Sequence, residues 1–438
     1  MSTQNTEYVI PELAPALERG PLWLREKRQS SRESFNRTPL PRRGLHLWRY
    51  TDPARFVFEQ STAVDTPYND NYDTAAKVVH DHLAKGHLAG LVSDFGGRDI
   101  KCHITEDVSK QGFIISSLSD AVEKQKEIVE QYLYGLVNSE TGKFEAMNGA
   151  LWNDGILIYI PDNVVVERPI HLLRESGQSG SVQYPRLLVV VGRNAELTLI
   201  DEYAGGSTGS DAELSHTNSV VEVYGLQDSR TRLISLQRHS SGTRSILTQR
   251  ARLERGASML TMPLAFGAAM SKQNYGVTLA GEGADSNIYG LLFGADRQHL
   301  DNHTLHHHAH GQTTSNINFK VVLRDKALSA YTGLIRIDQG AKVCEAYQEN
   351  RNLLLSPGTR AETIPELEIL NEEVSCSHGA TIGPIDPQLV FYLKSRGIPE
   401  DVATRMVVSG FVASTLELVP EDLRERVSGF VAQRLEDM

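Results

Sequence analysis

The chain has 438 residues, of which 40% are hydrophobic and 23% are charged, and its formal net charge is −11 at pH 7. This length allows one long core or two ordinary domains. The composition argues against disorder, and no apolar stretch approaches the roughly 18 residues that a membrane span requires. The negative charge argues against nucleic acid as a partner, because phosphate binding needs a basic face.

The N-terminus and the cysteines indicate the cellular compartment. The first residues lack the basic and apolar regions of a secretory signal, so we expect a cytoplasmic protein. The cysteines are Cys102, Cys344 and Cys376, and an odd number without an export signal predicts reduced thiols. No CxxC motif occurs, which excludes a four-cysteine zinc site within one chain. Mixed Cys/His ligation and ligands shared with a partner stay open.

Residues 1–145 are predicted to form a mostly helical N-terminal region. Apolar residues at three-to-four spacing indicate a helix over 119–136, with Ser119 and Asp120 as candidate caps. A shorter capped helix is indicated after Asp73 and Thr74.

Residues 146–383 are predicted to form the core, and their residue pattern is typical of β-strands. Short β-branched runs recur without a convincing amphipathic helix between them, which is typical of a sandwich, a set of barrels or a solenoid. Several strands break at a tight Gly-bearing or charged corner and restart on or after an alanine. Stacked rungs repeat such a turn, so the pattern favours a parallel β-solenoid. The alanines are Ala195, Ala257, Ala284 and Ala327.

Residues 384–438 return to a helical period and are predicted to form a C-terminal helical region. Pro399 and Pro420 are each followed by two acidic residues, as at helix starts. The last helix carries an apolar stripe that is expected to pack on the core or on a partner: Leu423, Val427, Phe430, Val431 and Leu435. The predicted fold class is therefore mainly β, with helices at both ends.

Cys376 and His378 form the candidate site. Side chains on a strand alternate faces, so residues two apart point the same way and can share a ligand. The alternative is that both residues only pack, since cysteine is among the most buried residue types.

A second constellation is the histidine cluster His303, His306, His307, His308 and His310. On a strand, His306, His308 and His310 would line one face and could hold a transition metal. The alternative places these histidines in stacked rungs or at an exposed corner. The chain has no GxxxxGK[ST] phosphate loop, so we do not expect it to hydrolyse ATP.

Four sequence blocks, LWRYTD, LWNDGILIYIPDNVVVERPIHL, YQENRNLLLSPGTRAETIPELEI and SCSHGATIGPIDPQLVFYLKSRGI, resemble the SufB/SufD family of the SUF iron–sulfur cluster assembly system. The resemblance runs from about residue 44 to 412. HGAT after the cysteine is similar to SufD. SufB has a glutamate where this chain has Gly379, and a cysteine in the segment where this chain has Thr359.

The resemblance implies a right-handed parallel β-helix between helical regions. It also implies a non-catalytic scaffold subunit that pairs with SufB through β-helix edges and binds the ABC-type ATPase SufC through its C-terminal helices. A homodimer is a further option. The implied cofactor is a nascent iron–sulfur cluster, transient and shared with SufB, with none bound tightly by the monomer. His378, as an iron ligand, and Cys376 match the SufD residues at that interface, where mixed Cys/His ligation of iron is chemically reasonable.

Three alternatives to this interpretation remain at the level of sequence. The chain could be a SufB-like cluster scaffold, or a free-standing metal-binding β-helix enzyme that uses the histidine cluster. It could also be a purely structural subunit in which Cys376 and His378 only pack.

Overall fold

The structure is a computed structural model that describes residues 20–56, 62–63, 79, 81–95, 99–106, 110–176, 180–205 and 214–436. The helices are α1 Leu22–Arg37, α2 Leu118–Lys124, α3 Lys126–Tyr132, α4 Lys143–Leu151, α5 Pro387–Ser395, α6 Glu400–Leu416 and α7 Glu421–Glu436, with short 3-10 helices at His46–Trp48 and Pro53–Phe56.

The strands before the long core repeat are β1 Thr62–Ala63, β2 Gly90–Phe95, β3 Asp99–Ile104, β4 Ile114–Ser117, β5 Gly155–Ile160, β6 Ile170–Ser176 and β7 Ser181–Gln183. The repeat itself comprises β8 Arg186–Val191, β9 Glu196–Gly205, β10 Ser215–Gly225, β11 Arg230–His239, β12 Thr243–Leu253, β13 Ser258–Ala265, β14 Met270–Leu279, β15 Asp285–Gly294, β16 His299–His308, β17 Thr314–Leu323, β18 Leu328–Ile337, β19 Cys344–Leu354, β20 Arg360–Ile369 and β21 Val374–Pro384.

The strands form two sheets that the chain visits alternately. The first sheet has the order β20-β18-β16-β14-β12-β10-β8-β5-β4, with β7 and β1 at its side, and the second has the order β21-β19-β17-β15-β13-β11-β9-β6-β2-β3. From β8 onward each strand pairs in parallel with the strand two before it or after it. The core is thus a parallel β-solenoid of about eight turns, which confirms the predicted fold class.

The predicted corners are the turns between rungs. Ala195, Ala257, Ala284 and Ala327 are all fully buried, because each rung turns too sharply for a larger inward side chain. The residue before them often has positive φ, as at Asn194 with φ 54°. Stacked corners also bond to one another, since Asn194 N donates to Gln227 O at 3.1 Å.

The predicted helix over 119–136 is wrong in its length and its cap. It is two helices, α2 and α3, that break at Gln125. The cap is Ser117, whose side chain accepts a hydrogen bond from Asp120 N at 3.1 Å. Strands β2, β3 and β4 also precede residue 146 and extend both sheets. The helix expected after Asp73 and Thr74 begins outside the described residues.

The C-terminal helices begin where the prolines predict, at Glu400 and Glu421. Four members of the apolar stripe on α7 are buried, and Phe430 is partly buried, in one cluster with solenoid residues such as Leu236 and Leu264. The stripe therefore packs on the core. No helix in the described ranges is long and apolar enough to cross a membrane.

The segment 38–56, here called the strap, crosses the outer face of the first sheet. Lys272 Nζ on β14 donates to Leu47 O at 2.5 Å. Thr51 Oγ1 lies 2.7 Å from His299 Nε2 on β16. His46 Nε2 lies 3.1 Å from Glu366 Oε1 on β20. The strap thus reaches from α1 to the last strand of the sheet.

Candidate functional site

The solenoid ends in two free strand edges. Within the described chain, β20 is the last strand of one sheet and β21 is the last strand of the other. Side chains that lie inside earlier turns, such as Gln348, are fully buried, whereas the equivalent positions of β21 are open to solvent. A free parallel edge is a template for pairing with another chain.

Cys376 and His378 lie on β21 and face the interior of the solenoid. Cys376 pairs in register with Ala346, and His378 pairs with Gln348. Both partners are buried inward residues of β19. Cys376 is half-buried and packs against the solenoid core, while His378 is exposed. The structure therefore brings the two predicted residues to the same face of the terminal rung.

The layer beneath the two residues contains polar groups. Gln348 Nε2 donates to Gly333 O at 3.2 Å, whereas its Oε1 atom is buried and has no hydrogen-bond partner. Beside His378, a Cβ added at Gly379 would meet only the Tyr347 hydroxyl, at 4.0 Å. The space at Gly379 therefore lies on the outer face of β21, opposite to Cys376 and His378.

The chemistry of the pair depends on the state of the thiol. Burial raises the pKa of Cys376, so the isolated chain holds a protonated thiol at neutral pH. Binding of a metal replaces that proton, because the thiolate is the ligand. Within the described ranges, no group of three His, Cys, Asp or Glu side chains could hold a metal ion. Cys376 and His378 place two potential donor atoms on one face of β21, one fewer than such a group contains.

The histidine cluster does not assemble into a site of its own. His306 and His308 are buried inside the solenoid, where His306 Nε2 lies 3.0 Å from Ser286 Oγ. Both ring nitrogens of His308 have hydroxyl partners, Thr313 at 2.7 Å and Ser315 at 2.8 Å. His310 lies beyond the end of β16 and is exposed. The hypothesis of a shared metal is therefore wrong for these three histidines, and the alternative is confirmed, with His306 and His308 in stacked rungs and His310 exposed beyond the strand.

The acidic side chains of β20 point away from Cys376. The inward residues of this strand include Ala361 and Leu367, which pack on the core. Glu366 and Glu368 alternate with them and so face outward, where Glu366 contacts His46 of the strap. These carboxylates belong to the outer surface of the sheet.

An exposed apolar groove lies at the C-terminal end of β21, and the sequence analysis did not single it out. Its volume is about 640 Å³, and its lining includes Leu353, Leu389, Tyr392 and Phe411. Phe391 on the same helix, α5, is 72% exposed. The signal that could have found this surface is the run LVFY at 389–392, in the first half of α5, which is more apolar than a solvated helix needs.

The last helix, α7, is tied to the solenoid by buried charge. Glu202 on β9 accepts hydrogen bonds from Arg426 of α7 at 2.8 Å and from Arg238 of β11 at 2.5 Å, and it lies 2.7 Å from His171 Nε2. Burial alone would raise the pKa of Glu202, but the His171 hydrogen bond and the two arginines hold it well below its usual value. The charged Glu202 carboxylate on β9 therefore connects β6, β11 and α7.

Comparison with known proteins agrees with this architecture. The model of the SUF system FeS cluster assembly SufBD core domain matches residues 173–411, and that of the SufBD protein N-terminal region matches residues 18–172. Iron–sulfur cluster assembly SufBD family proteins of Staphylococcus saprophyticus and Staphylococcus epidermidis are each 24% identical to this chain, and one of Staphylococcus aureus is 23% identical. Each alignment covers 98% of this chain and 93% of the relative. The chain belongs to the SufBD family of iron–sulfur cluster assembly proteins.

Proposed function

We propose that this protein is the SufD-like subunit of a cytoplasmic SufBCD scaffold, which builds and releases nascent iron–sulfur clusters. In this proposal the chain is not an enzyme, and the partner SufC hydrolyses ATP. The observation that carries the proposal is the open end of the solenoid, where two free strand edges surround Cys376 and His378. This surface suits the edge of a second β-solenoid, which we identify as SufB.

Two positions favour SufD over SufB. Gly379 follows His378, where the SufB pattern has a glutamate, and Thr359 stands in the turn before β20, where that pattern has a cysteine. Thr359 Oγ1 donates to Ser356 O at 2.7 Å, which is a structural role within the turn. The chain thus lacks these two additional donors, and a cluster at this edge would depend on ligands from SufB.

His378 and Cys376 are the proposed ligands of this chain. The imidazole is exposed and the half-buried thiol faces the same side, so both can reach a cluster held between two solenoids. Mixed Cys/His ligation of iron is known chemistry. The cluster is cargo in this scheme, and it is shared and transient.

We divide the chain into an N-terminal region of residues 1–145, a core of residues 146–383 and a C-terminal helical region of residues 384–438. We assign the docking of SufC to the C-terminal region. The support is the groove between α5, α6 and the end of β19, with Leu389 52% exposed and Tyr392 57% exposed. Exposed apolar surface of this kind marks an interaction site. In the proposed cycle, ATP binding draws two SufC subunits together, and the C-terminal helices transmit the movement to the SufB edge.

Replacement of His378 tests the ligand role. The tagged wild type and His378→Ala are co-purified from cells that express the whole assembly system, and iron and acid-labile sulfide are quantified. We expect His378→Ala to recruit both partners but to lose cluster. Ser377→Ala is the matched control, because Ser377 is exposed and lies on the opposite face of β21. Unchanged cluster content in His378→Ala would make the histidine a packing residue.

A charge in the groove tests the docking assignment. Leu389→Asp is expected to abolish co-purification of SufC while SufB is retained. Leu22→Asp places the same charge at a 63% exposed leucine on α1 and should leave both partners bound. Recruitment of neither partner by the wild type, with a homodimer formed instead, would contradict the proposed complex.

A further inference from the structure

The two free edges at the end of the solenoid differ in the backbone groups that they offer. In a strand, the N–H and C=O groups of one residue point to the same side, and the side alternates from residue to residue. Arg360 N on β20 donates to Ala327 O at 3.1 Å, at the start of β18. Leu370 N, directly after β20, donates to Ile337 O at 2.9 Å. The even-numbered residues of β20 therefore bond to β18, and the odd-numbered residues face the free edge.

The free edge of β20 is interrupted at its centre by Pro365. This residue is odd-numbered and has no N–H to offer to an added strand. Its ring also occupies the place where an N–H would meet a carbonyl of that strand, and proline in a sheet is accordingly confined to edges that stay unpaired. The remaining donors are Ala361 and Thr363 before the proline, and Leu367 and Ile369 after it.

The free edge of β21 is continuous. Glu345 N on β19 donates to Thr313 O at 3.0 Å, so the odd-numbered residues of β19 face β17 and the even-numbered residues face β21. In a parallel pair, a residue that bonds to the neighbouring strand stands opposite one that faces away. Because Cys344 stands opposite Val374, the even-numbered residues of β21 face the free edge. All of them have an N–H: Val374, Cys376, His378, Ala380 and Ile382.

The side chains of the two strands differ in the same sense. Natural sheets protect an exposed edge from pairing with proline or with charged side chains. On its outer face β20 carries Arg360, Glu362, Glu366 and Glu368 in addition to its proline. Residues 374–383 of β21 include no proline, lysine, arginine or acidic residue, and their outward side chains are small: Ser375, Ser377, Gly379, Thr381 and Gly383. The edge of β21 is therefore unprotected.

The inward face of β21 also has apolar surface beside this edge. Ile382 lies on the same face as Cys376 and His378, and it is 45% exposed. A strand added to β21 would place its own inward side chains against Ile382 and remove that surface from water, which favours the addition.

We infer that the partner solenoid extends the second sheet, by backbone hydrogen bonds to β21, and does not extend the first sheet at β20. This inference rests on the proposed function and names the strand edge that joins the two subunits. Neighbouring strands lie about 4.8 Å apart, so the inward side chains of the added strand stand next to Cys376 and His378. The further ligands of a shared cluster come from those positions of the partner.

Amide hydrogen exchange at residue resolution tests this inference on the wild-type chain, alone and in complex with purified SufB. We expect the amides of Cys376, His378 and Ala380 to be slowed by the partner at least about tenfold more than those of Thr363 and Leu367, since only the former gain an acceptor. Protection of both strands to the same extent, or of β20 alone, would overturn the inference and leave the proposed complex standing. Failure of SufB to bind would overturn both.

Two matched proline variants give a second test. Ala380→Pro removes a donor from the edge of β21, and Ala361→Pro removes one from the edge of β20. Neither lost N–H bonds to the neighbouring strand of the chain itself. We expect Ala380→Pro to weaken SufB binding about 10- to 100-fold, because a carbonyl of the added strand is left unpaired, and Ala361→Pro to change it by no more than about twofold.

The reverse change completes the set. Pro365→Ala restores the missing donor of β20 and should leave the affinity for SufB unchanged. Tighter binding by Pro365→Ala, or equal weakening by the two introduced prolines, would contradict the inference. If the introduced prolines prevent folding, the exchange measurement on the wild type still decides.

Discussion

The ion pairs of Glu202 predict how strongly α7 is held on the solenoid against local opening. Arg426 donates two hydrogen bonds to Glu202, from Nη1 at 3.1 Å and from Nη2 at 2.8 Å. Both side chains are largely removed from water, with exposures of 15% for Arg426 and 0% for Glu202. We therefore choose Arg426→Met, which removes the charge and keeps much of the side-chain volume.

The expected cost follows from what the variant leaves behind. A hydrogen bond to a charged group contributes about 1.5–3 kcal/mol, and Glu202 keeps His171 and Arg238 as partners after Arg426 is lost. We expect the free energy of local opening of α7 to fall by about 1.5–3 kcal/mol. Glu202→Gln should cost more, about 3–5 kcal/mol, because it leaves the two largely buried arginines, Arg238 and Arg426, without their carboxylate.

Native-state hydrogen exchange is the suitable assay, because a chain of 438 residues is not expected to unfold in two states. The amides of α7 should exchange about 10- to 100-fold faster in Arg426→Met, since each 1.4 kcal/mol is a factor of ten. The control Arg405→Met breaks an exposed pair with Asp401 on α6 and should change exchange by no more than about twofold.

Two outcomes would refute this reasoning. Exchange of α7 in Arg426→Met no faster than in the Arg405 control would mean that the ion pair does not hold the helix. An effect of Glu202→Gln no larger than that of Arg426→Met would mean that the other cations do not depend on the same carboxylate.

Three further predictions concern the core and the thiols. Gly281→Ala should lower the thermal midpoint, because its Cβ would lie 2.2 Å from Arg255 N, whereas Gly340→Ala meets nothing within 4 Å and should have little effect; overpacking of this kind costs about 1–3 kcal/mol. Burial lowers the pKa of His306 to about 3 and of His308 to about 4, against about 6.5 in the unfolded chain. Because the unfolded state therefore binds protons first, the stability of the protein should fall as the pH drops below about 6.5. A thermal midpoint that stays constant from about pH 6.5 to about pH 5 would contradict this. Burial, aided by nearby carboxylates, raises the pKa of Cys102 to about 11, so at pH 8 iodoacetamide should alkylate this thiol far more slowly in the native than in the denatured protein, as mass spectrometry of the peptides can measure.

The solenoid could be predicted because its signals are local. Strand runs and tight corners repeat every turn, and a fully buried alanine such as Ala257 is required wherever the rung turns sharply. The starts of α6 and α7 are also local, since proline followed by acidic residues suits the first turn of a helix. The broken helix at Gln125 was missed because the apolar spacing continues through α3 although the backbone does not.

The relation between Cys376 and His378 was accessible from sequence, because alternation along a strand fixes that they share a face. Their exposure was not, because it depends on β21 being the last strand of its sheet, which is a property of the whole fold. The histidine cluster shows the same limit. Period-two spacing aligned His306 with His308 and His310, but β16 ends at His308. Hydroxyl partners of the two buried rings come from β15 and β17 of the other sheet, across the interior of the solenoid.

Long-range contacts were beyond the sequence for a physical reason. Glu202 and Arg426 are 224 positions apart, and nothing in the neighbourhood of either residue indicates that the two charges meet out of water. Periodicity and turn chemistry determined the rungs of this protein, whereas the stacking of the rungs and the docking of the two helical ends decided which polar groups are buried together.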